Sequence, residues 1–208
     1  MNVFMEEINE EDSFLTLART SEAIYKDRGS KFLGYAFPVR SEDDIKDHLQ
    51  ELKKKYYDAT HHCYAWILGR NGEHYRANDD GEPNHSAGDP ILGQIRSLNL
   101  THTLVVVIRY YGGTKLGVSG LIQAYKTSAA LTLEENEIVR EFVQKEVAIK
   151  FSYESMNEVM KLVKRLDLEI TTQSMELDCK FTLRFREGLQ EEVLATLKEI
   201  ESLELLRD

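Results

Sequence analysis

The segment that most constrains the fold is an uninterrupted apolar run in the middle of the chain, Leu104 to Ile108, flanked by Thr103 and by Arg109 and Tyr110. Its β-branched residues do not alternate with polar ones, which is typical of a strand buried inside a sheet. It is also the longest aliphatic run of the chain, far shorter than the roughly 20 residues that a membrane helix needs. The sequence therefore predicts a buried strand over residues 103–110 and no membrane helix.

Capping residues and apolar periodicity predict further elements before and after this strand. Ser41, followed by acids in the first turn, predicts a helix that ends near Tyr57. Asp89 and Pro90 have the residue types of an N-cap and a first helical position, so we expect a helix there as well. The remaining predicted elements are a strand near Phe14–Thr20, a strand over Tyr35–Val39, a hairpin of Tyr64–Leu68 and His74–Ala77, and a helix over Leu121–Glu135.

The last third of the chain has its own pattern of strands and helices. Strands are predicted over Lys145–Tyr153, Leu168–Ser174, Leu177–Phe185 and Leu203–Leu206, with helices over Glu154–Leu166 and around Leu189–Ile200. This order, β-α-β-β-α-β, is typical of a ferredoxin-like α/β sandwich. The fold class predicted for the whole chain is α+β, with an N-terminal domain over residues 1–140 and a ferredoxin-like domain over 141–208.

Composition narrows the class of protein. The 208 residues carry a formal net charge of −10, and 42% of them are apolar. Such a chain is too apolar to be disordered and too acidic to coat nucleic acid nonspecifically, although a local basic site stays possible. The two cysteines cannot build a disulfide framework, and the N-terminus lacks the pattern of a signal peptide. We therefore expect a cytoplasmic protein.

The charge is unevenly distributed along the chain. Pro90 to Leu133 contains no Asp or Glu in 44 residues, while it holds Arg96, Arg109, Lys115, Lys126 and His102. A positive region in an acidic protein favours a phosphate or carboxylate ligand at that place. A buried segment that has lost its charges is the alternative, and the apolar residues of the central strand support it. Buried strands do not need the lysines, however.

A glycine-rich loop follows the buried strand and precedes a helix. It runs from Gly112 through Gly113, Lys115 and Gly117, directly after the pair Tyr110-Tyr111. Backbone N–H groups at such a junction can hold an anion, and tyrosine rings can stack on a base. The loop matches neither a Walker A motif nor GxGxxG. Close packing of the helix on the strand is the alternative role of its glycines.

Histidines and acids in two other segments allow a metal site or acid–base chemistry. His61 and Cys63 lie on one face of a predicted strand, and Asp79, Asp80, Glu82 and His85 lie in a loop rich in glycine and proline. The acids are too crowded for a calcium-binding EF-hand, and a tight structured turn uses the same residue types. The sequence contains no nucleophile with an evident base beside it, which weighs against a hydrolase, and no motif that requires a cofactor.

Four ordered motifs resemble the bacterial YigZ branch of the IMPACT family. They are RGSKFLGYAFPV at 28–39, ATHHCYAWILG at 59–69, DDGEPNHSAGDPIL at 79–92 and VVVIRYYGGTKLGVSGLIQAY at 105–125. The resemblance implies a two-layer N-terminal domain of the type found in RNase PH and in domain IV of elongation factor G, followed by a ferredoxin-like domain. His85, Ser119 and Gln123 depart from the common family pattern, the last of them where an arginine is usual.

The resemblance also implies a function, because eukaryotic members of the family regulate translation. We expect a cytoplasmic regulator of translation that binds RNA or the ribosome through a basic glycine-rich face, with no cofactor. The predicted contact residues are Lys31, Arg109, Tyr110, Tyr111, Gly112, Gly113, Lys115, Gly117 and Lys126. One alternative is a metal-assisted hydrolase that uses His61, Asp79, Asp80, Glu82 and His85. The other is a protein-interaction module with a large apolar patch on its C-terminal sheet.

Overall fold

The computed structural model describes residues 12–206, which form eleven strands and five helices in two compact units. One unit comprises residues 14–141; the other comprises 142–206 together with residues 12 and 13. Of the predicted domain ranges 1–140 and 141–208, residues 1–11 and 207–208 lie outside the described part. Within that part, no helix is both long and apolar enough to cross a membrane.

The first unit is built on a five-stranded antiparallel sheet. Its elements in chain order are β1 (Ser13–Leu17), β2 (Ser21–Asp27), β3 (Ser30–Pro38), α1 (Glu42–Lys55), β4 (His61–Leu68), β5 (His74–Asn78), α2 (Gly88–Ser97), β6 (Thr103–Tyr110), α3 (Gly117–Glu134) and β7 (Ile138–Phe142). The sheet order is β2-β3-β6-β4-β5, and β1 pairs separately with β7. The predicted strand over residues 103–110 is confirmed, and it lies at the centre of the sheet.

Helices pack on both faces of this sheet because β6 is apolar on both sides. Val105 and Val107 face the core under α2 and α3. Val106 and Ile108 face a second core, which α1 covers with Ile45 and Leu52. The expected two-layer arrangement is therefore wrong for this unit, since α1 adds a third layer. A strand that is apolar on both sides needs cover on both sides.

Two helices begin earlier than the sequence predicts. The N-cap of α2 is Ala87 rather than Asp89, because the carboxylate of Asp79 accepts hydrogen bonds from the backbone N–H groups at the start of the helix. Helix α3 begins at Gly117, four residues before the predicted start at Leu121. Gly117 has φ of +72°, a conformation that glycine adopts without strain, and it turns the chain directly into the helix.

The second unit has the elements β8 (Gln144–Phe151), α4 (Met156–Arg165), β9 (Glu169–Met175), β10 (Cys179–Arg186), α5 (Gln190–Glu199) and β11 (Leu203–Leu206), with short 3₁₀ turns before α4 and α5. Its antiparallel sheet has the order β11-β8-β10-β9. One core joins the sheet to both helices, and it includes Ile149, Phe181, Val159 and Val193. Both helices therefore pack on the same face of the sheet.

The other face of this sheet is polar. Arg184 forms ion pairs with Glu146 on one neighbouring strand and with Glu169 on the other. The hydroxyl groups of Thr172 and Thr182 are hydrogen-bonded across the same face at 2.7 Å. The protein-interaction hypothesis requires a large apolar patch here, and a face covered by ion pairs counts against it.

Candidate nucleic-acid interface

Arg109 lies in the interior of the first unit, although the sequence groups it with the lysines. The register of β6 places it between Phe32 of β3 and His61 of β4. Its side chain is 6% exposed, and its Nη1 donates to Oε1 of Glu82 at 2.6 Å. The expectation that Arg109 positions a phosphate is not supported, because a buried guanidinium needs its carboxylate partner and offers no charge to the solvent.

The carboxylate of Glu82 is the centre of a buried polar network. Its Oε1 also accepts a hydrogen bond from the Tyr125 hydroxyl at 2.8 Å, and His61 Nε2 lies 3.9 Å away. The thiol of Cys63 donates to the Tyr125 oxygen at 3.3 Å. Burial raises the pKa of both Tyr125 and Cys63 well above their usual values. Both groups therefore stay protonated and act as hydrogen-bond donors, not as nucleophiles.

The loop that carries Glu82 is held by its own acids. Asp79 accepts the backbone N–H groups of His85, Ala87 and Gly88 at 2.8–2.9 Å. Burial alone would raise the pKa of Asp79, but these donors outweigh it and hold that pKa below its usual value. Asp80 accepts the backbone N–H of His62 at 2.7 Å. These acids stabilise a structured turn, which is the alternative role that the sequence leaves open.

The residues of the possible metal site are neighbours, but the structure engages them in other ways. The backbone oxygen of Asp80 is 2.7 Å from Nδ1 of His61, and Nδ1 of His85 is 2.6 Å from the carboxylate of Asp89. Residues 12–206 contain no group of three or more His, Cys, Asp or Glu side chains that could hold a metal ion. The metal site stays a prediction that none of these contacts favours.

Two exposed lysines lie at and near the start of α3. Lys115 lies two residues before the helix, and Lys126 lies nine residues after its first residue. The first turn of α3 contains no acidic residue, and no side chain caps its backbone N–H groups. Gly113 and Gly117, with φ of +85° and +72°, shape the loop that leads into the helix. Free N–H groups at the positive end of a helix dipole, with Lys115 two residues before them, favour an anion.

The same loop is anchored at its beginning to the turn between β2 and β3. The hydroxyl of Ser30 accepts the backbone N–H of Gly112 at 3.2 Å. A Cβ on Gly112 would lie 1.9 Å from the backbone of Gly29, so only glycine allows the two segments to approach this closely. Lys31, which follows this turn, is exposed and lies opposite Tyr110 in the register of β3 and β6. The structure thus places Lys31 beside the glycine-rich loop.

The two predicted stacking tyrosines differ in accessibility. Tyr110 is half-buried and donates its hydroxyl to Asp58 at 2.7 Å, which raises the pKa of Tyr110 to about 12. Tyr111 is 48% exposed, and its backbone N–H donates to Thr60 at 3.3 Å. The Arg109 guanidinium lies 5.6 Å from the centre of the Tyr111 ring. Tyr111 is therefore the residue of the pair that can present a ring face to a ligand.

No sequence pattern marks Tyr125 or Ser30 as partners of the site, or Tyr57 as an exposed ring. A tyrosine on an apolar helix face predicts ordinary core packing, and nothing in its spacing reveals a distant carboxylate. In the sequence Glu82 is one acid of a loop rich in acids. Its pairing with Arg109 joins residues that are 27 positions apart, so the link becomes visible only in three dimensions.

Comparisons with known proteins place these motifs in a family. A model of the Impact N-terminal domain matches residues 28–133, which is 106 of the 208 residues and includes all four motifs. The chain belongs to the IMPACT family. The bacterial IMPACT family member YvyE of Bacillus subtilis is 37% identical over 61% of this chain and 58% of its own length. YigZ of Escherichia coli, also an IMPACT family member, is 27% identical over 76% of this chain and 79% of its own length.

The likeness to one solved structure extends over nearly the whole chain. The crystal structure of a hypothetical protein covers 95% of this chain and 98% of its own, with a TM-score of 0.74 and 25% sequence identity. The match to YvyE covers less than two thirds of that relative. The family and the mixed α/β, two-unit arrangement with antiparallel sheets are thus shown for this chain.

Proposed function

We propose that this protein is a cytoplasmic regulator of translation that binds RNA or the ribosome through the basic face at the start of α3. The observation that carries the proposal is the exposure of Lys115 directly before an uncapped helix N-terminus and of Lys126 further along the same helix, in a stretch without carboxylates. Among the described residues, neither ammonium group forms an ion pair with a carboxylate. The regulatory role of eukaryotic IMPACT proteins, implied by the resemblance, favours the same function.

The proposed face consists of Lys115 and Lys126, together with Tyr111 and the backbone of Gly112, Gly113 and Gly117. Lys31 adds a charge at the edge of this face, beside Tyr110 at the end of β6. Arg109 is not part of this face, because its guanidinium is buried and Glu82 neutralises its charge. Contacts between lysines and phosphates supply affinity with little sequence preference and make that affinity strongly dependent on salt. For single strands the logarithm of affinity falls with the logarithm of salt by about 0.7 for each neutralised phosphate.

The test measures binding of a fluorescein-labelled RNA by anisotropy over a salt series, with purified ribosomes as a second target. The variant Lys115→Glu/Lys126→Glu should weaken binding at least about tenfold at low salt, and the remaining binding should depend less on salt. Lys161→Glu/Lys164→Glu is the matched control, because it makes the same charge change at exposed positions of α4. Equal affinity of the two variants for RNA and ribosomes would refute the assignment of this face.

A third variant tests the face by gain of function. Gln123 is exposed on α3 where the family commonly has an arginine, and its amide donates only to Thr127 at 3.0 Å. Gln123→Arg should tighten binding and steepen the salt dependence by about one phosphate contact. No effect of the added charge would indicate that the RNA does not reach this side of α3.

We also propose the fold type of each domain and the domain boundary near residue 140 that the sequence predicts. The strand order β11-β8-β10-β9, with both helices on one face, supports a ferredoxin-like type for residues 141–208. For residues 1–140 we keep the relation to RNase PH and domain IV of elongation factor G, with α1 as an additional layer. No observation favours the hydrolase or interaction-module alternatives.

A further inference from the structure

The segment after α1 holds the most exposed tyrosine of the first unit. Helix α1 ends at Lys55, and Tyr56, its C-cap, turns inward against Tyr35 with their rings 5.9 Å apart. Tyr57 then turns outward and is 84% exposed. An aromatic side chain of this size in water exposes apolar area that nothing in the packing of the helix requires.

Three contacts hold this segment beside the proposed RNA-binding face. The carboxylate of Asp58 accepts the hydroxyl of Tyr110, and the backbone N–H of Thr60 donates to the carbonyl oxygen of Arg109 at 2.9 Å. The hydroxyl of Thr60 accepts the backbone N–H of Tyr111. These contacts hold the backbone of Tyr57 next to the end of β6, and Tyr111 directly follows β6. The backbones that carry the two exposed rings are fixed to each other.

Lysines lie in the turn of α1 that precedes Tyr57. Lys53, Lys54 and Lys55 form the exposed last turn of α1. The ammonium group of Lys55 lies 5.0 Å from the ring centre of Tyr56, so its side chain is directed across the helix end. Lys31 and Lys55 line a groove of about 480 Å³ between α1 and the strands β2 and β3. Glu22 lines the same groove, and Asp58 is exposed nearby, so the excess of positive charge comes from the lysines.

This combination of exposed rings and ammonium groups fits an unpaired strand better than a duplex. Single-stranded nucleic acids bind to proteins by stacking their bases on aromatic side chains while basic residues follow the phosphates. In an RNA duplex the faces of the bases are covered by their neighbours, and recognition uses the groove and the backbone. Tyr57 and Tyr111 are exposed rings on two segments that are hydrogen-bonded to each other, and such rings can stack only on bases that are not paired.

We propose that the ligand of this surface is single-stranded RNA, that Tyr57 and Tyr111 each stack on a base, and that Lys53, Lys54 and Lys55 contact its phosphates. The inference rests on the proposed function and extends its face from the start of α3 to the end of α1. It predicts a preference for single strands and assigns a binding role to Tyr57, a residue outside the glycine-rich loop.

The test compares a labelled 12-nucleotide oligouridine with a 12-base-pair RNA duplex at fixed low salt. Tyr57→Ala and Tyr111→Ala should each weaken binding of oligouridine about tenfold and leave duplex binding unchanged, since stacking on one base is lost. Tyr57→Phe keeps the ring and should bind like the unchanged protein. Tyr153→Ala is the matched control, because Tyr153 is 56% exposed in the second unit.

The outcomes separate this inference from the proposed function. If Tyr57→Ala binds oligouridine as Tyr153→Ala does, while Lys115→Glu/Lys126→Glu does not bind, the stacking role of Tyr57 is refuted and the basic face remains. Tighter binding of the duplex than of oligouridine would refute the assignment to single strands. Absence of binding to either RNA at low salt would overturn this inference, and absence of binding to ribosomes as well would overturn the proposed function.

Discussion

Replacing Arg109 with methionine should lower the free energy of unfolding of the first unit by about 3–5 kcal/mol, the usual cost of removing one partner of a buried ion pair. The side chains of Arg109 and Glu82 are only 6% and 4% exposed, so the remaining carboxylate cannot regain its solvation. The hydroxyl of Tyr125 would still donate to it. One neutral donor does not replace a guanidinium, however, and the substitution leaves most of the desolvation of Glu82 uncompensated.

The exposed pair of Arg40 and Glu141 provides the control. Its contact is just as short, 2.6 Å, but its side chains are 53% and 34% exposed, so Arg40→Met should cost no more than about 1 kcal/mol. Urea unfolding can be followed by the fluorescence of Trp66, the only tryptophan, which is 7% exposed in the core of the same unit. Equal costs for Arg109→Met and Arg40→Met would refute the buried pair and leave Arg109 available to a ligand.

A double variant distinguishes pairing from simple loss of packing. Arg109→Met combined with Glu82→Leu removes both charges together and keeps most of the volume. Apolar replacement of a whole buried pair is often neutral, so the double variant should be more stable than Arg109→Met alone. The stability lost in the double variant could instead equal the sum of the losses in Arg109→Met and Glu82→Leu. The two side chains would then not stabilise each other, and the network around Glu82 would be refuted.

Two further predictions concern pH and glycine. Burial lowers the pKa of His62 and of His102 below the usual 6.5, so near that pH the unfolded chain binds protons that the folded chain does not. The urea concentration at the midpoint of unfolding should therefore fall as the pH drops below about 6.5. The double variant His62→Gln/His102→Gln should show a weaker dependence on pH. Gly112→Ala should lower the free energy of unfolding by about 1–3 kcal/mol, because the new Cβ meets the backbone of Gly29. Gly93 lies on the exposed face of α2 with open space around it, so Gly93→Ala should raise the free energy of unfolding by about 0.5–1 kcal/mol in the same assay.

The elements of the fold that depend on local pattern could be predicted from the sequence. The strand Thr103–Tyr110 has the predicted bounds because a continuous β-branched run leaves few alternatives. Ser41 caps α1 as expected, since the capping interaction spans only three residues. The start of α2 differs from the prediction because its cap is the carboxylate of Asp79, nine residues before the helix begins. The start of α3 was hidden by glycines, which usually indicate a loop.

The candidate site stays a prediction, but the structure changes which of its residues can reach a ligand. The stretch without acids predicts one common role for Arg109, Lys115 and Lys126, because a charge count does not distinguish buried from exposed residues. Only the paired carboxylate of Glu82, which lies outside that stretch, shows that Arg109 is structural. Exposure likewise decides between Tyr110 and Tyr111, and it brings in Tyr57, which no motif emphasised. Tertiary contacts determine these roles, and sequence spacing does not record them.

The burial of both cysteines has a practical consequence for labelling. Cys63 and Cys179 are each 0% exposed, and neither is in a disulfide. A thiol reagent therefore reaches neither sulfur while the protein is folded, and the natural chain serves as a background without reactive cysteines. A single cysteine introduced at the exposed position of Ser119 would carry a fluorophore at one defined place on α3. Such a probe reports directly on what approaches that helix, with every native residue of the core left in place.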